Sequence, residues 1–208
     1  IDLVNYIYFD FLNKEDIYFF FFFHDAPALY SVLMATNILP FSNIHKFRKI
    51  KGLPGHPDIK TKGIYTNTGS LGMGVSKAKG FLLANNLKKK SRKVVVLTGD
   101  GELQEGQFWE SLINIPKNIS KNLTIIIDYN KYQSDLSVQD TSSLGNLKNK
   151  LESFNVRTFT CDGNNFIDIK KTFKKIENIH APKAIIAYTV KGKGVSFMEG
   201  RPSIKNIY

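Results

Sequence analysis

The sequence predicts a doubly wound α/β fold, in which a mostly parallel sheet carries helices on both faces. Three runs of mainly β-branched and aliphatic residues, at 93–98, 123–127 and 184–188, are each followed directly by turn residues. Continuous apolar runs of this kind are typical of strands that are buried on both faces of a parallel sheet. Helical patterns separate the runs, and this alternation of strand and helix indicates the fold class.

The first part of the chain is predicted to be helical and then rich in turns. Residues 1–12 carry apolar and aromatic side chains at helical spacing. A second helix is expected over 26–35, where Pro27 is tolerated because it falls in the first turn. Glycines and prolines punctuate 37–62, and two prolines restrict the segment 53–58 to an ordered loop.

The remaining elements are predicted from the same two kinds of pattern. A glycine loop at 69–74 leads into a helix over 75–87, whose small residues allow close packing. Two further helices are predicted at 107–115 and 166–179, and 156–161 is a fourth candidate strand. The sequence shows no internal repeat and no second-domain boundary, so we expect the whole chain to form a single domain.

The composition is that of a folded globular domain. Of the 208 residues, 42% are hydrophobic and 23% are charged, which is too apolar for wholesale disorder. The single cysteine, Cys161, cannot form an internal disulfide or a thiol metal cluster, and it suits a reducing cytoplasm. The longest apolar run, 17–23, is far shorter than the roughly 20 residues of a membrane helix. The N-terminal segment carries Asp2 and Asp10 and does not have the basic region before an apolar stretch that is typical of a secretory signal. We therefore expect a cytoplasmic protein without a membrane partner.

The formal net charge of +11 raises the question of a nucleic-acid partner. Most of this charge comes from scattered lysines, which cluster only at 88–93 and 170–175. No arginine–aromatic interleaving accompanies the clusters. Solvated helix faces explain them better, so we expect no nucleic-acid partner.

Polar residues follow the first two predicted strands, at the edge where open parallel sheets bind ligands. Asp100 lies in a Gly-Asp-Gly-Glu segment after the first strand, and Asn130 follows the second. If the two strands are neighbours, these side chains approach each other. Carboxylate and amide oxygens are hard ligands, and two of them suit Mg²⁺ that is shared with a phosphate-bearing ligand. Amide groups of the glycine loop and of the helix near Gln107 would donate to the phosphates.

Other interpretations of these segments remain open. Gly-Asp-Gly alone occurs in many tight turns that hold no metal. The glycine loop does not have the G-x-G-x-x-G spacing of dinucleotide folds, and the sequence contains no G-x-x-x-x-G-K-[ST] motif. Standard NAD and P-loop nucleotide sites are therefore excluded.

Six motifs in order resemble the thiamine-diphosphate-binding half of transketolase, and together they span nearly the whole chain. They lie at 24–30, 55–58, 68–74, 99–106, Asn130 and 190–195. The Glu-Gly pair that ends the fourth motif favours transketolase over deoxyxylulose-phosphate synthase and dehydrogenase relatives. The resemblance implies the thiamine-diphosphate-binding fold of the PP domain.

The resemblance also implies cofactors, namely thiamine diphosphate and Mg²⁺ or another divalent cation. It implies that the cation is held by Asp100, Asn130 and the backbone carbonyl of Tyr132. The implied cofactor contacts are His24, His56, Gly69, Ser70, Leu71, Asp100, Gly101, Glu102 and Asn130. Catalytic roles are implied for His24 and His56 in the cofactor and substrate pocket, and for Glu105. Glu105 resembles a glutamate that couples two active sites across a subunit interface. Its alternative is a helix-capping or surface carboxylate, and the alternative for His24 is a loop histidine bonded to backbone.

The implied activity is transfer of a two-carbon ketol unit from a ketose phosphate to an aldose phosphate. The pyrimidine-binding domain of the family is not contained in residues 1–208, so we expect a split transketolase. Its partner would be a C-terminal, pyrimidine-binding subunit, in a homodimer or heterotetramer, and sugar phosphates would be its substrates. The sequence does not identify the sugar pair.

Three departures from the family pattern bear on activity. Relatives carry a Ser-Gly-His-x-Gly motif before the segment that aligns with residue 1, so we expect the first segment of the domain to be lacking. Phenylalanines occupy 21–23, where relatives have Ser-Lys-Gly, and no histidine follows His180, where relatives have an aromatic-His-Gly segment. These departures leave an alternative open, a non-catalytic remnant that keeps the fold and the subunit interface without turnover.

Overall fold

All strands of the central sheet run in the same direction. The structure, a computed structural model, describes residues 2–20, 26–133 and 136–200, with only the backbone at Phe20. Its strands are β1 (Ile17–Phe20), β2 (Val94–Gly99), β3 (Leu123–Tyr129), β4 (Tyr132–Gln133), β5 (Leu136–Ser137), β6 (Arg157–Asp162) and β7 (Lys183–Tyr188). Five of them form the sheet in the order β1-β2-β3-β7-β6, and β4 pairs antiparallel with β5.

Helices connect the parallel strands, as the alternating pattern predicts. They are α1 (Asp2–Tyr6), α2 (Ala26–Ala35), α3 (Gly74–Leu87), α4 (Gly106–Leu112), α5 (Lys117–Ser120), α6 (Val138–Thr141), α7 (Leu147–Ser153) and α8 (Phe166–Ile176). Asparagine side chains cap two of them. Asn146 accepts a hydrogen bond from the backbone N–H of Asn149, and Asn165 accepts from the backbone N–H groups of Ile167 and Asp168. Such caps satisfy N–H groups that have no partner inside the helix.

The two faces of the sheet belong to two separate hydrophobic clusters. Val95 and Leu97 of β2 pack in one cluster with residues of α1, α2 and α8. Val94 and Val96 pack in the other cluster with residues of α3, α4 and α7. Because successive side chains of a strand point to opposite faces, both faces are covered by helices. The predicted doubly wound α/β fold is confirmed.

The strand β1 is an element that the sequence pattern did not predict. Its residues belong to the apolar run 17–23, which is too short for a membrane helix and whose phenylalanines at 21–23 depart from the family pattern. In the structure β1 pairs in parallel with β2 at the edge of the sheet. Phe19 is 1% exposed and packs edge-on against Phe81, with 4.8 Å between ring centroids. Residues 21–25, which include the predicted site residue His24, lie outside the described residues.

Several predicted boundaries are also corrected. The first helix is α-helical only to Tyr6 and continues as a π-helix over Ile7–Phe11. Helix α4 ends at Leu112, three residues earlier than predicted, because Asn114 has a φ of +55° and Pro116 follows. Helix α8 likewise ends at Ile176, three residues early.

None of the helices in the described ranges combines the length and the hydropathy that a membrane crossing requires. The longest of them, α3, has 14 residues.

Candidate functional site

The candidate site lies at the carboxyl edge of the central sheet. Strands β2 and β3 are direct neighbours, and Gly99 at the end of β2 is in register with Asp128 of β3. Asp100 follows β2 at once, and Asn130 follows β3 at once. The two side chains are therefore brought to the same edge, as the prediction from adjacent strands required.

Asp100 is fully buried and begins a 3₁₀ segment that runs to Gln104. Its Oδ2 accepts a hydrogen bond of 2.6 Å from the backbone N–H of Lys131. Its Oδ1 is buried without a hydrogen-bond partner among the described residues. Burial raises the pKa of this carboxyl to about 7; the hydrogen bond from Lys131 opposes the rise, and the negative charge of Asp128 adds to it.

Asn130 is 8% exposed and is held by the turn that follows β3. Lys131 adopts a left-handed φ of +69°, which turns the chain back on itself. As a result the backbone N–H of Tyr132 donates to Asn130 Oδ1 at 2.9 Å. The turn thus places Asn130, the backbone of Tyr132 and the buried carboxyl of Asp100 close together.

Glu102 ties this edge to the glycine loop. Its side chain is 1% exposed, and Oε2 accepts a hydrogen bond of 3.1 Å from the backbone N–H of Gly72. The second oxygen, Oε1, has no partner in the described ranges. Burial raises the pKa of Glu102 to about 7, and the hydrogen bond from Gly72 opposes the rise. The carboxyl therefore faces inward and joins two loops of the site.

At three positions of the site, a glycine allows one segment of backbone to approach a side chain of another segment closely. Gly69 has a φ of +101°, and a Cβ there would lie 3.0 Å from Nδ1 of His56. Gly72 has a φ of +74°, and a Cβ there would lie 2.8 Å from the Cβ of Glu105. At Gly101 a Cβ would lie 3.1 Å from the Cβ of Gln133. Glycine permits both the backbone angles and the close approach.

His56 is exposed and lies against the glycine loop. Thr68 holds the two segments together, because its backbone N–H and its hydroxyl both donate to the carbonyl oxygen of Pro57, at 3.1 and 2.9 Å. Ser70 and Leu71 are exposed at the tip of the same loop.

Glu105 is exposed at the N-cap position of α4, and its side chain makes no capping hydrogen bond. Its carbonyl oxygen accepts from the N–H of Phe108 at 3.1 Å. The carboxylate therefore does not cap the helix, and its exposure matches the other alternative, a surface carboxylate.

Gly69 lies beside His56, the N–H of Gly72 bonds to Glu102, and the N–H of Lys131 bonds to Asp100. The loops that carry these predicted site residues are therefore joined by direct contacts or by short stretches of chain. The sequence pattern did not identify three groups that act on the site's carboxyls. They are the N–H of Lys131, which bonds to Asp100, the N–H of Gly72, which bonds to Glu102, and the charge of Asp128, which raises the pKa of Asp100. Gly72 lies in a recognised glycine motif and Asp128 near a strand end, but no sequence signal marks the left-handed turn at Lys131.

The residues at this edge fit a divalent cation and a diphosphate. A buried carboxylate oxygen without a partner, at Asp100, is an acceptor that a cation would satisfy. No three His, Cys, Asp or Glu side chains are grouped to hold a metal in the described parts of the chain. A cation here would therefore take further ligands from amide and carbonyl oxygens and from a ligand's phosphates, which leaves room for the predicted set of Asp100, Asn130 and Tyr132.

Comparisons with known proteins identify the family of the chain. Residues 14–205 match the family described as "Transketolase, thiamine diphosphate binding domain". The chain is 37% identical over 196 residues to one subunit of the apulose-4-phosphate transketolase of Actinobacillus succinogenes, covering 93% of this chain and 71% of that protein. It is 34% identical over 187 residues to the SqwG subunit of the 6-deoxy-6-sulfo-D-fructose transketolase of a Clostridium species, and the match covers 88% of this chain and 68% of that protein.

Solved structures give the same result. The transketolase of Campylobacter jejuni superposes with a TM-score of 0.81 at 31% identity, covering 89% of this chain and 30% of that one. This chain thus spans less than a third of that transketolase. Since the family match extends over most of the sequence, the chain belongs to the thiamine-diphosphate-binding domain family of transketolases.

Proposed function

We propose that the chain is the thiamine-diphosphate- and Mg²⁺-binding N-terminal subunit of a split transketolase. The proposed reaction is transfer of a two-carbon ketol unit from a ketose phosphate to an aldose phosphate. The observation that supports this best is the buried, unpartnered Oδ1 of Asp100 at the carboxyl edge, beside Asn130 and a glycine-lined loop. The single buried cysteine, Cys161, remains consistent with a cytoplasmic location.

In this proposal the carboxyl edge holds the cation and the diphosphate. Asp100, Asn130 and the carbonyl oxygen of Tyr132 would be the cation ligands. A bound cation would keep the Asp100 carboxyl ionised, although burial alone raises its pKa to about 7. When bound, thiamine diphosphate supplies the nucleophilic carbon that carries the two-carbon unit.

The glycine loop would hold the rest of the cofactor. The backbone of Gly69, Ser70 and Leu71 is open at the loop, and Gly101 leaves room for close approach from the other side. Glu102 would act on the cofactor through the loop, because it fixes the N–H of Gly72.

Three charged or polar side chains complete the proposed site. His56, which lies beside Gly69, would contact the diphosphate or the substrate, and His24 is proposed for the same pocket on the family pattern alone. The exposed carboxylate of Glu105 is proposed to couple two active sites across a subunit interface.

A partner subunit is part of the proposal. Two of the relatives above are named as subunits of a transketolase, and the chain spans about 70% of their length. The partner would be a pyrimidine-binding transketolase subunit, in a homodimeric or heterotetrameric assembly, and it would supply the remaining wall of the site.

Trp109 offers a direct test of cofactor binding. Its Nε1–H donates to the carbonyl oxygen of Leu103 at 2.7 Å, so the indole reports on the segment that begins at Asp100. We expect a saturable change in Trp109 fluorescence when thiamine diphosphate is added with Mg²⁺ to the chain and its partner subunit. Asp100→Ala should abolish the change, because it removes the buried cation ligand.

The control for this test is Asp10→Ala, which removes an exposed carboxylate on the π-helix at Ile7–Phe11. This variant should bind the cofactor as the unchanged protein does. Absence of any response with the partner present, or an equal response from Asp100→Ala, would overturn the proposed function.

A further inference from the structure

Lysines converge at the edge of the sheet opposite to Asp100. Lys93 directly precedes β2, Lys121 lies two positions before β3, and Lys183 is the first residue of β7. These three strands are adjacent in the sheet. Since β2 spans six residues, this edge lies about 20 Å from the carboxyl edge.

Two cavities open at this edge, with volumes of about 180 Å³ and 160 Å³. Ser91, Lys121 and Asn122 line both of them, so the cavities are adjacent, and we term them together the amino-edge cleft. Asparagine and serine side chains supply neutral donors to its lining. The lysines that line the cleft are Lys89, Lys90, Lys93, Lys121 and Lys183.

The positive charge of the cleft is largely unbalanced. Glu177 is the one acidic residue among the lining residues. Arg92 pairs with Glu15 and Lys193 pairs with Glu199, and neither of these ion pairs involves a lysine of the cleft.

The burial of Lys183 makes this unbalanced positive charge energetically unfavourable, because the residue is only 5% exposed. Its ammonium group donates to the backbone carbonyl oxygens of Lys121 and Ile179, and not to a carboxylate. Burial lowers its pKa to about 8, and the positive charge of Lys93 lowers it as well. An anion in the cleft would recover part of the free energy that this buried charge costs.

Helix electrostatics account for part of the cluster only. Lys89 and Lys90 follow the end of α3, where positive charge stabilises the helix terminus. Lys121 likewise follows the end of α5 directly, as its C-cap residue, so the same argument applies to it. It does not apply to Lys93 or to the buried Lys183, which lie at the starts of β2 and β7.

We propose that the amino-edge cleft binds a small anion with at least two phosphate groups. Each cavity has its own lysines, and lysine ammonium groups bind phosphate as point charges. The amide and hydroxyl groups of Asn86, Ser91 and Asn118 donate to the remaining phosphate oxygens. The site is distinct from the proposed cofactor site, and it does not depend on that proposal.

Inorganic tripolyphosphate is the probe, titrated calorimetrically into the full chain with EDTA and no divalent cation. We expect one saturable site for each chain. The double variant Lys89→Gln, Lys121→Gln should bind about tenfold more weakly or worse. The matched control Lys148→Gln, Lys170→Gln removes the same charge from exposed positions on α7 and α8, and its affinity should stay within about twofold. Absence of saturable binding, or equal weakening in the two double variants, would overturn the proposal.

Two further arms separate this site from other sources of binding. Asp100→Ala should leave the affinity for tripolyphosphate unchanged; a loss would place the anion in the cofactor site and overturn the proposal. A short single-stranded RNA that displaces tripolyphosphate at lower concentration, with steep salt dependence, would assign the cleft to nucleic acid and would also overturn it.

Discussion

Gly72 connects two loops of the candidate site through its backbone, at a φ of +74°. The substitution Gly72→Ala would force an alanine into the left-handed region and place its Cβ 2.8 Å from the Cβ of Glu105. We expect it to lower the free energy of unfolding by about 1–3 kcal/mol and to weaken thiamine diphosphate binding. Urea unfolding and the Trp109 titration measure the two effects.

Gly80 provides the matched control, because it lies inside α3 and a Cβ there would meet no atom within 4 Å. Gly80→Ala should raise the free energy of unfolding by about 0.5–1 kcal/mol, since glycine destabilises a helix interior relative to alanine. Equal losses of stability at both positions would contradict the role assigned to Gly72.

Lys183 links the stability of the fold to pH. Burial, together with the charge of Lys93, lowers its pKa from 10.5 to about 8 in the folded chain. Between pH 8 and 10.5 the unfolded chain therefore binds more protons than the folded chain, and the free energy of unfolding rises with pH in this window. Below pH 8 the cost of the buried charge is fully present.

Lys183→Met removes this titration and isolates the effect. As the pH rises from 8 to 10.5, the free energy of unfolding of the unchanged protein should gain about 2–3 kcal/mol relative to the variant. Urea unfolding of both proteins at a series of pH values measures the difference. A difference that stays constant over the window would show that Lys183 is charged equally in both states.

At the scale of elements, β1 depends on the burial of Phe19. This side chain is 1% exposed between β2 and Phe81 of α3. Phe19→Ala should lower the free energy of unfolding by about 3–5 kcal/mol, as expected for a large aromatic removed from a core. Phe41→Ala, at a position that is 70% exposed, should change it by less than about 0.5 kcal/mol. Similar losses from both would show that β1 is not packed as described.

The elements that could be predicted from the sequence are those with a local signal. The strands β2, β3 and β7 are buried on both faces over most of their length, so their residues are mainly apolar and are followed by turns. The strand β1 has four residues within an aromatic run, and nothing in the run itself shows where a strand begins or ends. Its assignment rests on pairing with β2, which is 77 positions away in the register of Ile17 with Val94.

The same limit applies to the candidate site. Asp100 and Asn130 were predicted to approach each other because both follow strands, and strand ends are visible in a sequence. The hydrogen bond from Gly72 to Glu102 joins residues 30 positions apart. It depends on how α3 packs beside the sheet, which no local pattern specifies.

At the scale of the whole molecule, the proposed function requires a second subunit. We expect no turnover from the chain alone, and turnover after it is mixed with a pyrimidine-binding transketolase subunit, in a coupled assay of ketol transfer. A sample of the partner alone is the control, and the mixture with Asp100→Ala should be inactive. A mixed complex that binds the cofactor without turnover would assign the chain to the alternative, a non-catalytic remnant.

The position of β7 determines when the sheet can close as the chain is made. It is the last strand of the described chain, yet it lies between β3 and β6 and pairs with both. Until Lys183–Tyr188 have been synthesised, the edge of β3 that pairs with β7 is unpaired, and β6 has no neighbouring strand in the sheet. Unpaired edges of this kind pair readily with other chains. We therefore expect nascent chains that stall before residue 183 to aggregate more readily than chains that include β7, and we expect β7 to enter the middle of the sheet late in folding.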